Sequence, residues 1–179
     1  MSNRVSCFTS HAQDDVPLIL RAATVYPDRI ELSLQVSHPQ YAVSSPTLIT
    51  ALLQTHPYLL EHTCKNDVGT TFGAVAYTTS MPHVFEHLVI DNQMSALADS
   101  GLVSDVVLVG TTQWSTSASS LDHTEEGKRP STGEPKDESK REHEELFATV
   151  RVSFIDDVMA FAAINAALKE LNELLVTAY

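Results

Sequence analysis

The sequence is short of basic residues, glycine and cysteine, and each shortage excludes something. Lys and Arg number 11 against 23 Asp and Glu, a net charge of −12. Such a chain is repelled by phosphate backbones and anionic lipid, so neither nucleic acid nor a membrane surface is an expected partner. The six glycines, at positions 69, 73, 101, 110, 127 and 133, fall in no GxGxxG or GxxxxGK[ST] frame, which excludes a dinucleotide fingerprint and a P-loop. Two cysteines, Cys7 and Cys64, are too few for a disulfide framework, and the opening MSNRVSCFTSHAQDD has no apolar stretch of the length a secretory signal needs. A cytoplasmic location is therefore expected. No apolar run approaches the ~20 residues that cross a bilayer. What is present, 43% apolar and 19% charged residues in a chain of 179, is the composition of one folded domain with one core.

Composition changes most abruptly after Trp114. Residues 115–145 hold nine acids and five bases, with one Leu as the only large apolar side chain. That segment buries too little apolar surface to offset the entropy of ordering it, and is expected to be a disordered charged insertion. Residues 1–15 read as a flexible N-terminal tail, leaving 16–179 as a single interrupted domain. Within it, Leu18–Val25 and Arg29–Ser37 flank the turn-forming Tyr26-Pro27-Asp28, and Ile30, Leu32, Leu34 and Val36 alternate with polar residues, which predicts a β-hairpin. Ser45-Pro46 opens a helix that Pro57 stops, and a short helical turn through Tyr58–His62 follows. A helix starts at Ser80 and Pro82 and ends near Ser100-Gly101. Val103–Thr112 and Leu146–Ile155 read as strands either side of the insertion. The final helix, Asp156–Thr177, carries Phe161, Ile164, Leu168, Leu171 and Leu175 at steps of three and four. The order β-β-α-α-β-β-α predicts an α+β two-layer fold, a mainly antiparallel four-stranded sheet with helices packed on one face.

Chemistry concentrates in the helix from Pro82, where His83-Val84-Phe85-Glu86-His87 forms an HxxEH pattern. At 100° per residue the two histidines share a face, about 6 Å apart along the axis, and Glu86 lies to the side of His83. Two imidazoles so placed can bind Zn²⁺, while the carboxylate takes a proton from the water that the metal acidifies, the inverzincin arrangement. A hydrogen-bonded structural cluster is the alternative reading, because apolar residues surround this helix and a buried His or Glu needs a partner either way. A catalytic zinc requires a third protein ligand. Asp91, one turn beyond His87, is placed either to bind or to orient His87. His62 and Cys64 are the other candidates, each also readable as a capping histidine and a small buried thiol. The apolar face of the last helix could instead serve oligomerisation.

The stretches LITALLQTHPYLLEHTC, GTTFGAVAYTTSMPHVFEHLVIDNQ and VVLVGTTQW, then ATVRVSFIDD and the Ala-rich final helix, resemble the N-terminal domain of cyanophycin synthetase over nearly the whole folded part. That domain precedes an ATP-grasp ligase and a Mur-ligase-like module that build a poly-aspartate backbone bearing arginine. The resemblance implies a polymer-binding platform whose HxxEH helix, in some members, cuts the polymer. Carried over, His83 and His87 are the metal ligands, Glu86 is the general base, and Asp91 takes the place of the family's Glu, one methylene shorter. Gly69-Thr70-Thr71-Phe72 departs from the family's glycine pair before Phe. With no glycine loop for ATP the chain cannot make polymer alone. The expected function is metal-dependent hydrolysis of a peptide or cyanophycin-like polymer. The alternative is a non-catalytic module that binds such a polymer or a separately encoded ligase.

Overall fold

The computed structural model describes residues 4–5, 16–101, 106–115 and 146–178. The proposed tail apart from Arg4–Val5, and the insertion beyond Ser115, lie outside the described residues. Strands β1 (Arg4–Val5), β2 (Leu18–Val25), β3 (Arg29–Val36), β4 (Gly110–Ser115) and β5 (Leu146–Ser153) form one antiparallel sheet in the order β1-β2-β3-β5-β4. Four of the strands correspond to those the sequence predicts, β4 with different bounds, and β1 adds a two-residue fifth beside β2. Helices α1 (Pro46–Leu52), α2 (Met81–Asp99) and α3 (Asp157–Ala178) complete the two-layer α+β fold.

The register shows why one face is core. Ile30, Leu32 and Leu34 of β3 stand opposite Val152, Val150 and Ala148 of β5, and all six are buried. In β2 a bulge between Leu20 and Ala22 absorbs Arg21, so that Leu18 and Leu20 before it and Ala23 and Val25 after it still meet the core. The extra residue is stabilised from outside the ladder, where Arg21 Nε donates to Gln35 Oε1 at 2.6 Å. The hairpin turn is closed by the Tyr26 N–H on the Arg29 carbonyl at 2.8 Å, with the Arg29 guanidinium 4.4 Å from the Tyr26 ring centre.

One strand differs from expectation: β4 spans Gly110–Ser115, not Val103–Thr112. Residues 103–105 lie outside the described residues, and 106–109 have no regular structure. The reason is the partner. β5 ends at Ser153 before the turn into α3, so the ladder stops where Gly110 meets Val152, fastened by the Ser153 N–H on the Val109 carbonyl at 2.8 Å. At the other end β5 still offers Ala148 and Phe147, which hold Trp114 and Ser115 in the ladder.

Local chemistry sets the helix starts. Ser45 caps α1 by accepting the Leu48 N–H, and the Asp156 carboxylate accepts the Met159 N–H at 2.8 Å at the start of α3. Gly101, at φ 71°, follows α2 in the left-handed conformation that favours glycine. The buried face of α3, which includes Ala160, Ile164, Ala167, Leu171 and Leu175, is covered within the chain by the shared core, so that face is not the free oligomerisation surface the sequence suggested. The first half of α2 is buried on nearly every side, from Met81 through Val89 except His83. Each fully buried large apolar side chain contributes roughly 1.5–3 kcal/mol, enough to hold polar groups on the same helix in place.

Candidate metal centre

The chain between α1 and α2 has little regular structure, and it brings the third donor to the helix. Asn66 Oδ1 accepts the N–H groups of Val68 and Gly69 at 2.9 and 2.7 Å, folding the loop back on itself. The Cys64 N–H then reaches the Thr70 carbonyl at 3.0 Å and the Phe72 N–H the His62 carbonyl at 2.8 Å. This fold-back points Cys64 and His62 toward α2. The wholly buried Phe72 ring stacks on His87, centroids 4.0 Å apart, and meets His83 edge-on at 5.4 Å.

Cys64, His83 and His87 each offer a donor atom within 4.8 Å of the other two, close enough to hold one metal ion. His83 Nε2 faces Cys64 Sγ at 3.3 Å and its Nδ1 lies 2.7 Å from Thr79 Oγ1. An Nδ1–H donated to that hydroxyl leaves Nε2 free to ligate. His87 Nε2 is buried with no hydrogen-bond partner among the described residues. Its Nδ1 lies 3.4 Å from His62 Nδ1, and His62 Nε2 lies 2.9 Å from Asp91 Oδ1. The tautomers follow from the carboxylate end. Asp91 accepts from His62 Nε2–H, which leaves His62 Nδ1 to accept His87 Nδ1–H and the lone pair of His87 on the orphaned Nε2. A buried nitrogen with a lone pair and no donor is what a metal would satisfy.

Electrostatics agrees with that arrangement. Burial, then the neighbouring His83 and His62, hold His87 down to about 3, and burial lowers His83, so both rings are neutral, as ligands must be. Burial alone would raise Asp91, but the hydrogen bonds from His56 and His62 outweigh it and hold the carboxyl well below the usual range. Glu86 is 5% exposed, and burial pushes its carboxyl up to about 7 against the opposing hydrogen bond from the Thr112 hydroxyl at 2.5 Å. Gly110 is needed beside it: a Cβ there would lie 2.6 Å from Glu86 Cγ and Oε1. Glu86, Cys64, His83 and His87 line one cavity of about 510 Å³, walled on the far side by residues 107–112 and Trp114.

The structure thus joins His83 and His87 with Cys64, places Glu86 in the same cavity, and sets Asp91 and His62 behind His87. Asp91 touches His62 and His56, not His87 directly. Sequence reasoning missed His56, Glu170, Thr79 and Thr112. His56 is 6% exposed with Nδ1 2.6 Å from Asp91 Oδ2 and Nε2 2.8 Å from Glu170 Oε2 on α3. Its bond to Asp91, opposed by burial and aided by Glu170, raises its pKa. Only Thr79, four residues before His83 at the mouth of the helix, carried a local signal. Compared with models of known families, with curated proteins and with solved structures, the chain matches none. Among the described residues no helix is long and apolar enough to cross a membrane.

Proposed function

We propose that this protein is a zinc-dependent hydrolase of amide bonds in a peptide or peptide-like polymer. The observation that carries the reading is the Cys64–His83–His87 donor set opening into a cavity that also holds Glu86. Three N and S donors with room for a further ligand are the pattern of catalytic zinc, whereas structural sites are closed by four protein ligands. When bound, the metal acidifies water and polarises a carbonyl oxygen. The chain's own residues do the rest. Glu86, its carboxyl poised near neutrality, takes the proton from the attacking water and passes it to the leaving nitrogen. Thr112 fixes the carboxyl, Thr79 fixes His83, and the Asp91–His62 pair fixes His87.

The resemblance to the N-terminal domain of cyanophycin synthetase makes a cyanophycin-like polymer the first substrate to try, and a separately encoded ligase the partner that would extend the fragments. A reducing cytoplasm would suit a thiol ligand. One observation favours the non-catalytic module instead: Glu86 is confined between Gly110 and Thr112, as a carboxyl with a purely structural bond would be.

Elemental analysis of tag-free protein should give one zinc per chain, and His87→Ala should weaken binding by more than the roughly 10–100-fold typical of losing an outer partner. Equal, negligible metal in both proteins would end the metal reading. Glu86→Gln should keep zinc and fold yet lose hydrolysis; a parent that never hydrolyses while binding polymer selects the module.

A further inference from the structure

The cavity is open to one particular shape of ligand, because one of its walls is the last strand of the sheet. β4 pairs with β5 alone, so its other edge has no strand beside it among the described residues. The ladder phase says which groups that edge presents. Val109 lies opposite Ser153, whose N–H bonds the Val109 carbonyl while the Val109 N–H bonds the Ser153 hydroxyl, and in an antiparallel ladder pairs bonded across it alternate with pairs whose main-chain groups point outward. The N–H and C=O groups of Gly110, Thr112 and Trp114 therefore face away from β5, and no hydrogen bond from another described element reaches them. These residues line the cavity with the Cys64, His83 and Glu86 side chains. On the same wall Val107 and Val109 are mostly exposed, at 80% and 61%, and Trp114 is partly exposed, at 38%.

We infer that the substrate is an extended polypeptide main chain, which adds to the free edge of β4 as a sixth strand and so lays one of its amides across the Cys64–His83–His87 centre. This rests on the hydrolase reading and narrows it to linear, strand-forming chains. Main-chain pairing supplies register and tolerates many side chains, since the strand's own N–H and C=O groups make the bonds.

The test uses zinc-loaded full-length protein and calorimetric titration with acetohydroxamate, acetyl-hexaalanine hydroxamate, and two isomers of the latter N-methylated at alternate residues. Acetohydroxamate reports the metal alone. The hexaalanine compound should bind at least about tenfold more tightly through several added main-chain bonds. One methylated isomer should lose that gain and the other keep it, because only every second N–H of an added strand faces its neighbour. If acetohydroxamate binds and the peptide adds nothing, edge pairing is overturned while the metal centre stands. Equal loss from both isomers, as expected of plain cavity filling or of an edge the chain itself covers, overturns it too. If acetohydroxamate does not bind, the hydrolase reading falls and takes this one with it.

Discussion

Two histidine clusters sit side by side against α2, and they are satisfied to different degrees. Around Asp91, the two nitrogens of His56, Nε2 of His62 and both carboxylate oxygens of Asp91 have partners, and Glu170 of α3 is bound through His56 and Thr55. In the two turns before it, His83 Nδ1 has Thr79 but its Nε2 meets only a thiol, and His87 keeps a buried nitrogen with no partner among the described residues. A fully bonded buried network specifies structure, whereas an incomplete one is unstable unless something arrives to complete it. The difference marks the Asp91 cluster as the brace and the Cys64–His83–His87 cluster as the receiving end.

Removing the brace is the strongest way to break that contrast. Asp91→Ala removes the carboxylate that the buried His56 and the half-buried His62 share, leaving His56 with Glu170 alone, and should destabilise the fold by about 3–5 kcal/mol, read by urea unfolding. A loss below about 1 kcal/mol would mean the network is ornamental. At the receiving end, Gly110→Ala forces a methyl against the Glu86 carboxyl. It should cost about 1–3 kcal/mol through overpacking, with a larger proportional loss of the proposed hydrolysis than of stability.

The smallest effect, and the sharpest discriminator, is the dependence on pH. His87 has its folded pKa lowered to about 3, so between that value and its unfolded 6.5 the unfolded chain binds the extra proton, and stability of the metal-free protein falls as pH drops. His56 is raised, so its contribution is full below 6.5 and is lost as pH climbs through the folded value. Asp91 is lowered, so its contribution is full above its unfolded pKa of about 4 and is lost as pH falls below that. Between pH 4 and 6 the brace is therefore flat, while His87 slopes one way and Glu86, whose carboxyl is raised to about 7 and so adds stability as pH falls, slopes the other. His87→Phe should remove a slope of roughly a kcal/mol per pH unit there, measured by unfolding at several pH values. An unchanged slope would show that His87 is not held neutral.

Much of this contrast was legible before any coordinates. Helical periodicity put His83 and His87 on one face, and the alternation of Ile30, Leu32, Leu34 and Val36 gave the sheet. The choice among Asp91, His62 and Cys64 was not legible, because it depends on how residues 57–79 fold back through the Asn66 turn, and that stretch has no period to read. Glu170 stands 114 residues from His56, and no local rule joins a loop histidine to the flank of a distant helix. The limits of β4 escaped for a similar reason: Val106–Val109 have the composition of a strand, but strand identity needs a partner, and β5 stops at Ser153.

The β4–β5 ladder carries a practical corollary. Ser115 and Phe147 are already neighbours across it, so whatever joins them has only one interstrand gap of about 5 Å to bridge. Adding length between two fixed ends is inexpensive for a flexible insert, about 0.6 kcal/mol per doubling. A reporter or a whole guest protein could be spliced between those two residues and would hang from the rim of the cavity, well placed to sense what enters.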